Sequence, residues 1–117
     1  MDQAPYELDA DRRETVLSAL VERCANRGWS LLAAHVRTNH VHLVAEADAP
    51  PERVMNDLKC YASRRLNLLG FDPVGRKRWA RHGSTRWLWQ PAIVTAAVHY
   101  VLEEQGDPMS VFEAKSL

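Results

Sequence analysis

No apolar run in this sequence is long enough to cross a bilayer, so a helical membrane anchor is not expected. The acidic start, with Asp2, Glu7, Asp9 and Asp11, lacks the charge and apolar core of a signal peptide. Cysteine is scarce. Cys24 and Cys60 share no CxxC spacing, which excludes a metal finger or a disulfide framework and reads as two buried, reduced thiols in a cytoplasmic protein. There are no repeats or low-complexity stretches, and 117 residues suffice for one core but not two, so a single domain over 1–117 is expected. Net charge is also missing: 15 Lys and Arg balance 15 Asp and Glu, which by itself argues against a polyanionic partner.

The distribution of charge reverses that last exclusion. Between Arg53 and Arg86 nine basic residues face only Asp57 and Asp72, while the acidic residues gather near the termini. A neutral chain with a segregated basic middle can present a phosphate-binding face. The competing account is a solvated helix followed by a charged loop. Lys59, Arg64 and Arg65 fall on one polar helix face, and Arg76, Lys77, Arg78 and Arg81 fall in the loop after it, interleaved with Trp79. Aromatics beside arginine suit single-stranded nucleic acid, which needs both base stacking and phosphate neutralisation. Trp79 is the stacking candidate, whereas Trp87 and Trp89 sit in a short strand pattern where core anchoring competes.

The periodicities give an order of elements. Asp9 or Asp11 caps a helix over Arg12 to Asn26, with Val16, Leu17, Leu20, Val21 and Cys24 on one stripe and Gly28 beyond its end. Ser30 to Val36 and His40 to Ala47 read as a hairpin around Arg37-Thr38-Asn39. Pro51 opens a second amphipathic helix to Leu69, stopped by Gly70. Phe71 to Ser84 reads as a loop, Thr85 to Trp89 as a short strand, and Ala92 to Gln105 as a last helix. This order predicts an α+β fold with an antiparallel sheet and helices mainly on one face, its first strand short or missing around Pro5 to Leu8.

Two places carry chemistry. In Asn39-His40-Val41-His42-Leu43-Val44, alternation along a strand sets His40 and His42 side by side while Val41 turns inward. Two imidazoles on a rigid strand form a ready chelate for a divalent metal. The simpler account is two polar residues on a wet sheet face. On the last helix, Tyr100 and Glu104 are one turn apart. A phenol can act as nucleophile and a carboxylate can complete a metal site, although Tyr100 among Ile93, Ala96, Ala97 and Val101 also suits simple packing.

The strand NHVHLV, the following helix segment LKCYASRRLN and the tail RWARHGSTRWLWQPAIVTAAVHYVLEEQGDPM together resemble the single-tyrosine transposases of the HUH superfamily. Such proteins occur in small insertion sequences and as transposases associated with repeated palindromes. The resemblance spans about residues 12 to 110. It implies a ferredoxin-like HUH domain acting on single-stranded or hairpin DNA. His40 and His42 would hold Mg²⁺ or Mn²⁺, Glu104 would be a further ligand, and Tyr100 would attack a phosphodiester to leave a 5′-phosphotyrosine. Tyr61, beside Lys59, Arg64 and Arg65, is the alternative nucleophile. Two departures stand out. The first strand is reduced to APYEL, whose loss would leave an open sheet edge and invite a homodimer. The turn reads Arg37-Thr38-Asn39 where many relatives have Met-Pro-Asn. Two other readings remain: a domesticated, catalytically silent nucleic-acid-binding protein, and a metal-binding domain with no nucleic-acid partner.

Overall fold

A computed structural model describes residues 5–79, 85–89 and 109–113. Helix α1 (Ala10–Arg27) starts where the Asp9 side chain accepts the Arg12 backbone N–H at 3.0 Å, and ends at Gly28, whose φ of 73° is the left-handed conformation a side chain would disfavour. Strands β1 (Ser30–Val36) and β2 (His40–Glu46) form the antiparallel hairpin expected. Helix α2 (Pro51–Leu68) begins with proline in its first turn, where the missing N–H would have no partner anyway. Strands β3 (Arg86–Trp89) and β4 (Ser110–Glu113) complete a four-stranded sheet in the order β3-β2-β1-β4. The expected last helix lies outside the described residues.

The α+β architecture agrees with a ferredoxin-like HUH domain, with two differences from the sequence expectation. The sheet is mixed rather than wholly antiparallel, because β3 runs parallel to β2. Strand β4, absent from the sequence reading, pairs with β1 through Val36–Ser110 and Ala33–Glu113. The first strand, expected to be short or missing, is missing: residues 5–8 are not a strand. They form an extended arm whose Leu8 N–H donates to Thr38 O at 2.7 Å, with Tyr6 and Leu8 buried.

Both described helices pack on one face of the sheet. Val16, Leu20 and Cys24 from α1 meet Val54, Leu58, Ala62 and Leu66 from α2 over Ala34, Val36, Val41, Leu43 and Trp87. Removing such side chains from water stabilises by about 1.5–3 kcal/mol each. Arg23 and Arg27 of α1 grip Asp57 of α2 at 2.6 and 2.9 Å and hold the helices together. A bulge between Leu31 and Ala33 resets the alternation of β1, so that Leu31 and Ala34 both join the helix-facing core. Cys24 is buried as expected, and burial pushes its thiol up to about 11. Cys60 is instead exposed, because it lies two positions from both Leu58 and Ala62, across the helix from their stripe.

Candidate functional site

The other face of the sheet carries the histidines. His35 of β1 lies directly opposite His42 of β2, and His40 follows two positions along on the same side. The His40 and His42 rings stack with planes 20° apart and centroids 5.8 Å apart, while Val41 is fully buried on the helix side. This face is not the wet surface of the simpler reading: Ala33 and His35 are 0% exposed, Val44 2% and His42 4%. Burial, and then the positive surroundings of His40, His35 and Arg37, lower the His42 pKa to about 4. His42 is therefore neutral at physiological pH, as a metal-ligating imidazole must be.

The residue preceding the pair has a role in the geometry. The Asn39 side-chain oxygen accepts from His40 Nδ1 at 2.6 Å. An amide oxygen cannot donate, so the contact selects, for the neutral ring, the tautomer with the proton on Nδ1 and the lone pair on Nε2. His35 is committed differently, since its Nε2 accepts the Met109 backbone N–H at 2.8 Å. A ring centroid sits roughly 3 Å from an ion bound at about 2.1 Å, so two rings sharing one ion lie up to roughly 6.5 Å apart. The His40–His42 spacing falls inside that limit. Among the described residues, no group of three or more His, Cys, Asp or Glu is arranged to hold a metal. The expected Glu104 and the expected nucleophile Tyr100 lie outside the described residues, as does Arg81.

Of the basic residues read from the sequence as a nucleic-acid face, those with described contacts lie with the helices rather than with the histidines. Lys59, Arg64 and Arg65 belong to α2, on the side away from the histidines. Tyr61 is there too. Its hydroxyl donates to Glu22 Oε1 of α1 at 2.5 Å, and Arg65 binds the other oxygen of that carboxylate at 2.8 Å. The guanidinium groups of Arg23, Arg64 and Arg65 lie 5.1–5.7 Å from the Tyr61 ring. The alternative nucleophile is thus separated from the histidine pair by the thickness of the sheet.

Arg78 and Trp79 are turned inward, contrary to the exposed contacts expected of them. Arg78, 5% exposed, donates to Asp72 at 3.0 Å and to Asn67 at 2.8 Å. Trp79 donates to Ser63 Oγ at 2.8 Å and packs edge-on against Tyr6 and Trp87. Asp72 ties this loop to the arm and to α1, accepting also from Tyr6 at 2.6 Å and from Arg12 at 3.0 Å. Burial alone would raise the Asp72 pKa, but the hydrogen bonds from Tyr6, Arg78 and Arg12 outweigh it and hold the carboxyl below its ordinary value. A buried carboxylate with two guanidinium partners anchors the loop and leaves Arg78 unavailable to phosphate. Arg76 stacks over Tyr6 at 5.0 Å, and Lys77 is exposed.

One basic residue that the sequence reading counted but did not place in the site is Arg86. It is the in-register neighbour of His40 across the β2–β3 pair, and its backbone N–H donates to Asn39 O at 3.0 Å. The parallel pairing was the missing signal, because it alone puts Arg86 beside His40.

Comparison with known proteins identifies a family. A family model described as "Transposase IS200 like" covers residues 6–101. No curated protein and no solved structure matches the chain significantly. No helix among the described residues is long and apolar enough to cross a membrane.

Proposed function

The chain belongs to the IS200-like transposase family, a transposase-type DNA-cleaving and DNA-binding family, and on that premise we propose that it cleaves and rejoins single-stranded or hairpin DNA through a tyrosine. The observation that carries this reading is the buried, neutral His42 beside a His40 whose tautomer Asn39 holds. His40 and His42 would hold Mg²⁺ or Mn²⁺, with Glu104 as the third ligand. The ion, when bound, supplies positive charge that polarises the scissile phosphate and neutralises charge developing in the transition state.

Tyr100 is the nucleophile in this reading. Its phenolate oxygen forms a bond to phosphorus while the bond to the 3′ oxygen breaks, and that oxygen leaves to become a 3′-hydroxyl. The product is a 5′-phosphotyrosine, which conserves the phosphodiester's energy for rejoining without nucleotide hydrolysis. Asn39 keeps the Nε2 lone pair of His40 available throughout.

The test is a covalent-adduct assay with labelled single-stranded and hairpin DNAs and Mn²⁺. A denaturation-resistant protein–DNA band is expected, lost with EDTA and with Tyr100→Phe but retained with Tyr61→Phe. A band lost only with Tyr61→Phe would overturn the site assignment. DNA binding with no band under any condition would sink the catalytic reading and leave a silent binding protein.

A further inference from the structure

The histidine-bearing face is electrostatically polarised along its length. Its His40 end carries Arg86, in register with His40, and Arg37, whose charge contributes to depressing His42. Acidic side chains on the same face lie towards its other end: Glu46 pairs with Ser30, and Glu113 pairs with Ala33. Strand alternation sends Trp87 into the helix-side core and leaves Arg86 on the histidine side, where it is exposed. In-register residues on adjacent strands sit about 4.8 Å apart, so the Arg86 stem rises beside the His40 ring.

Other arginines are committed to internal partners. Arg12, Arg23, Arg27, Arg65 and Arg78 are in ion pairs, and Arg13 donates to Leu8 O. Arg86 makes no ion pair among the described residues, yet its backbone is held on both sides by the β2 register and the bond to Asn39. A rigidly based, solvent-facing guanidinium beside the paired imidazoles is suited to a phosphate, which its planar fork can bind through two hydrogen bonds.

We infer that Arg86 binds a phosphodiester group of single-stranded DNA at the His40–His42 pair and orients the strand for cleavage. The inference rests on the proposed function for its substrate, but its first readout needs neither metal nor chemistry. Affinity for a labelled oligothymidylate is measured in EDTA across a salt series, with wild type, Arg86→Ala, Arg86→Lys and Arg64→Ala. One phosphate contact to a single strand contributes about 0.7 to the slope of log affinity on log salt. Arg86→Ala is expected to lose about that much slope and about tenfold in affinity at low salt, and Arg86→Lys to keep the slope. In the Mn²⁺ adduct assay at saturating DNA, both variants are expected to slow adduct formation, because lysine supplies charge without the fork.

Unchanged slope and adduct rate in Arg86→Ala would overturn the inference. So would a slope loss found in Arg64→Ala instead, which would place the strand on the helix side. A wild type that binds but forms no adduct would sink the catalytic reading while the slopes still decided whether Arg86 holds phosphate. A wild type that binds no DNA would overturn both. Arg86 is exposed and its side chain is outside the core, so thermal melting of the variants is expected to match wild type.

Discussion

The two faces of the central hairpin are built from the same fourteen strand residues and behave as different materials. On the helix side, Ala34, Val36, Val41 and Leu43 are purely apolar and contribute by leaving water. On the other side, Ala33 and Val44 flank His35 and His42, which are equally buried but polar. Burial on the first face is its purpose. On the second it sets chemistry, since it keeps an imidazole uncharged at a pH where an exposed one would be partly protonated.

Truncation gives the largest contrast. Leu43→Ala should destabilise the protein by about 3 kcal/mol, through lost burial and the cavity left behind. Chemical denaturation checks this. A cost below about 1 kcal/mol would mean that the helix-side core is not packed as described.

Acid should separate the faces next. The unfolded chain takes up a proton on His42 near pH 6.5, whereas the folded chain resists until about 4. The unfolded state binds more protons in that window, so this contribution is fully present above pH 6.5 and is lost as pH falls towards 4. The loss is roughly 3 kcal/mol in the metal-free protein. His42→Asn should flatten stability between pH 6.5 and 4, and the His42 ring should titrate near 4 by NMR. An ordinary histidine titration would show that this face is wet.

The smallest effect isolates orientation from ligation. Asn39→Ala should weaken divalent-metal binding by about tenfold, the scale for removing a partner that orients a ligand. Asn39→Asp should retain it, because a carboxylate can accept the same Nδ1 proton. Equal losses in both variants, read by calorimetry with Mn²⁺, would show that the contact at 2.6 Å does not orient the ring.

The sequence revealed elements wherever one physical rule acted along a continuous stretch. The stripes of α1 and α2, the capping Asp9, Gly28 and the hairpin around Arg37-Thr38-Asn39 all lie within one or two residues of their expected bounds. The side-by-side histidines followed from alternation in the same way. Strand β4 escaped because Ser110-Val111-Phe112-Glu113 is too short to show a period. Arg78 and Trp79 looked exposed because a glycine-punctuated loop has no period from which to read burial. Their partners Asp72, Asn67 and Ser63 are brought in by tertiary packing. Arg86 was seen as charge but not as a neighbour, since pairing between β2 and β3 has no local signature.

The three-residue turn between β1 and β2 also bears on how the molecule assembles. Closing a short loop costs little chain entropy, whereas β3 and β4 reach the hairpin only across long stretches of sequence. Both histidines and the asparagine that orients one of them therefore lie in the most local part of the sheet, alongside a backbone bond from Arg37 to His40 at 2.8 Å. The most distant partners, Arg86 and Ser110, complete the sheet from either flank around a hairpin that already carries the histidine pair.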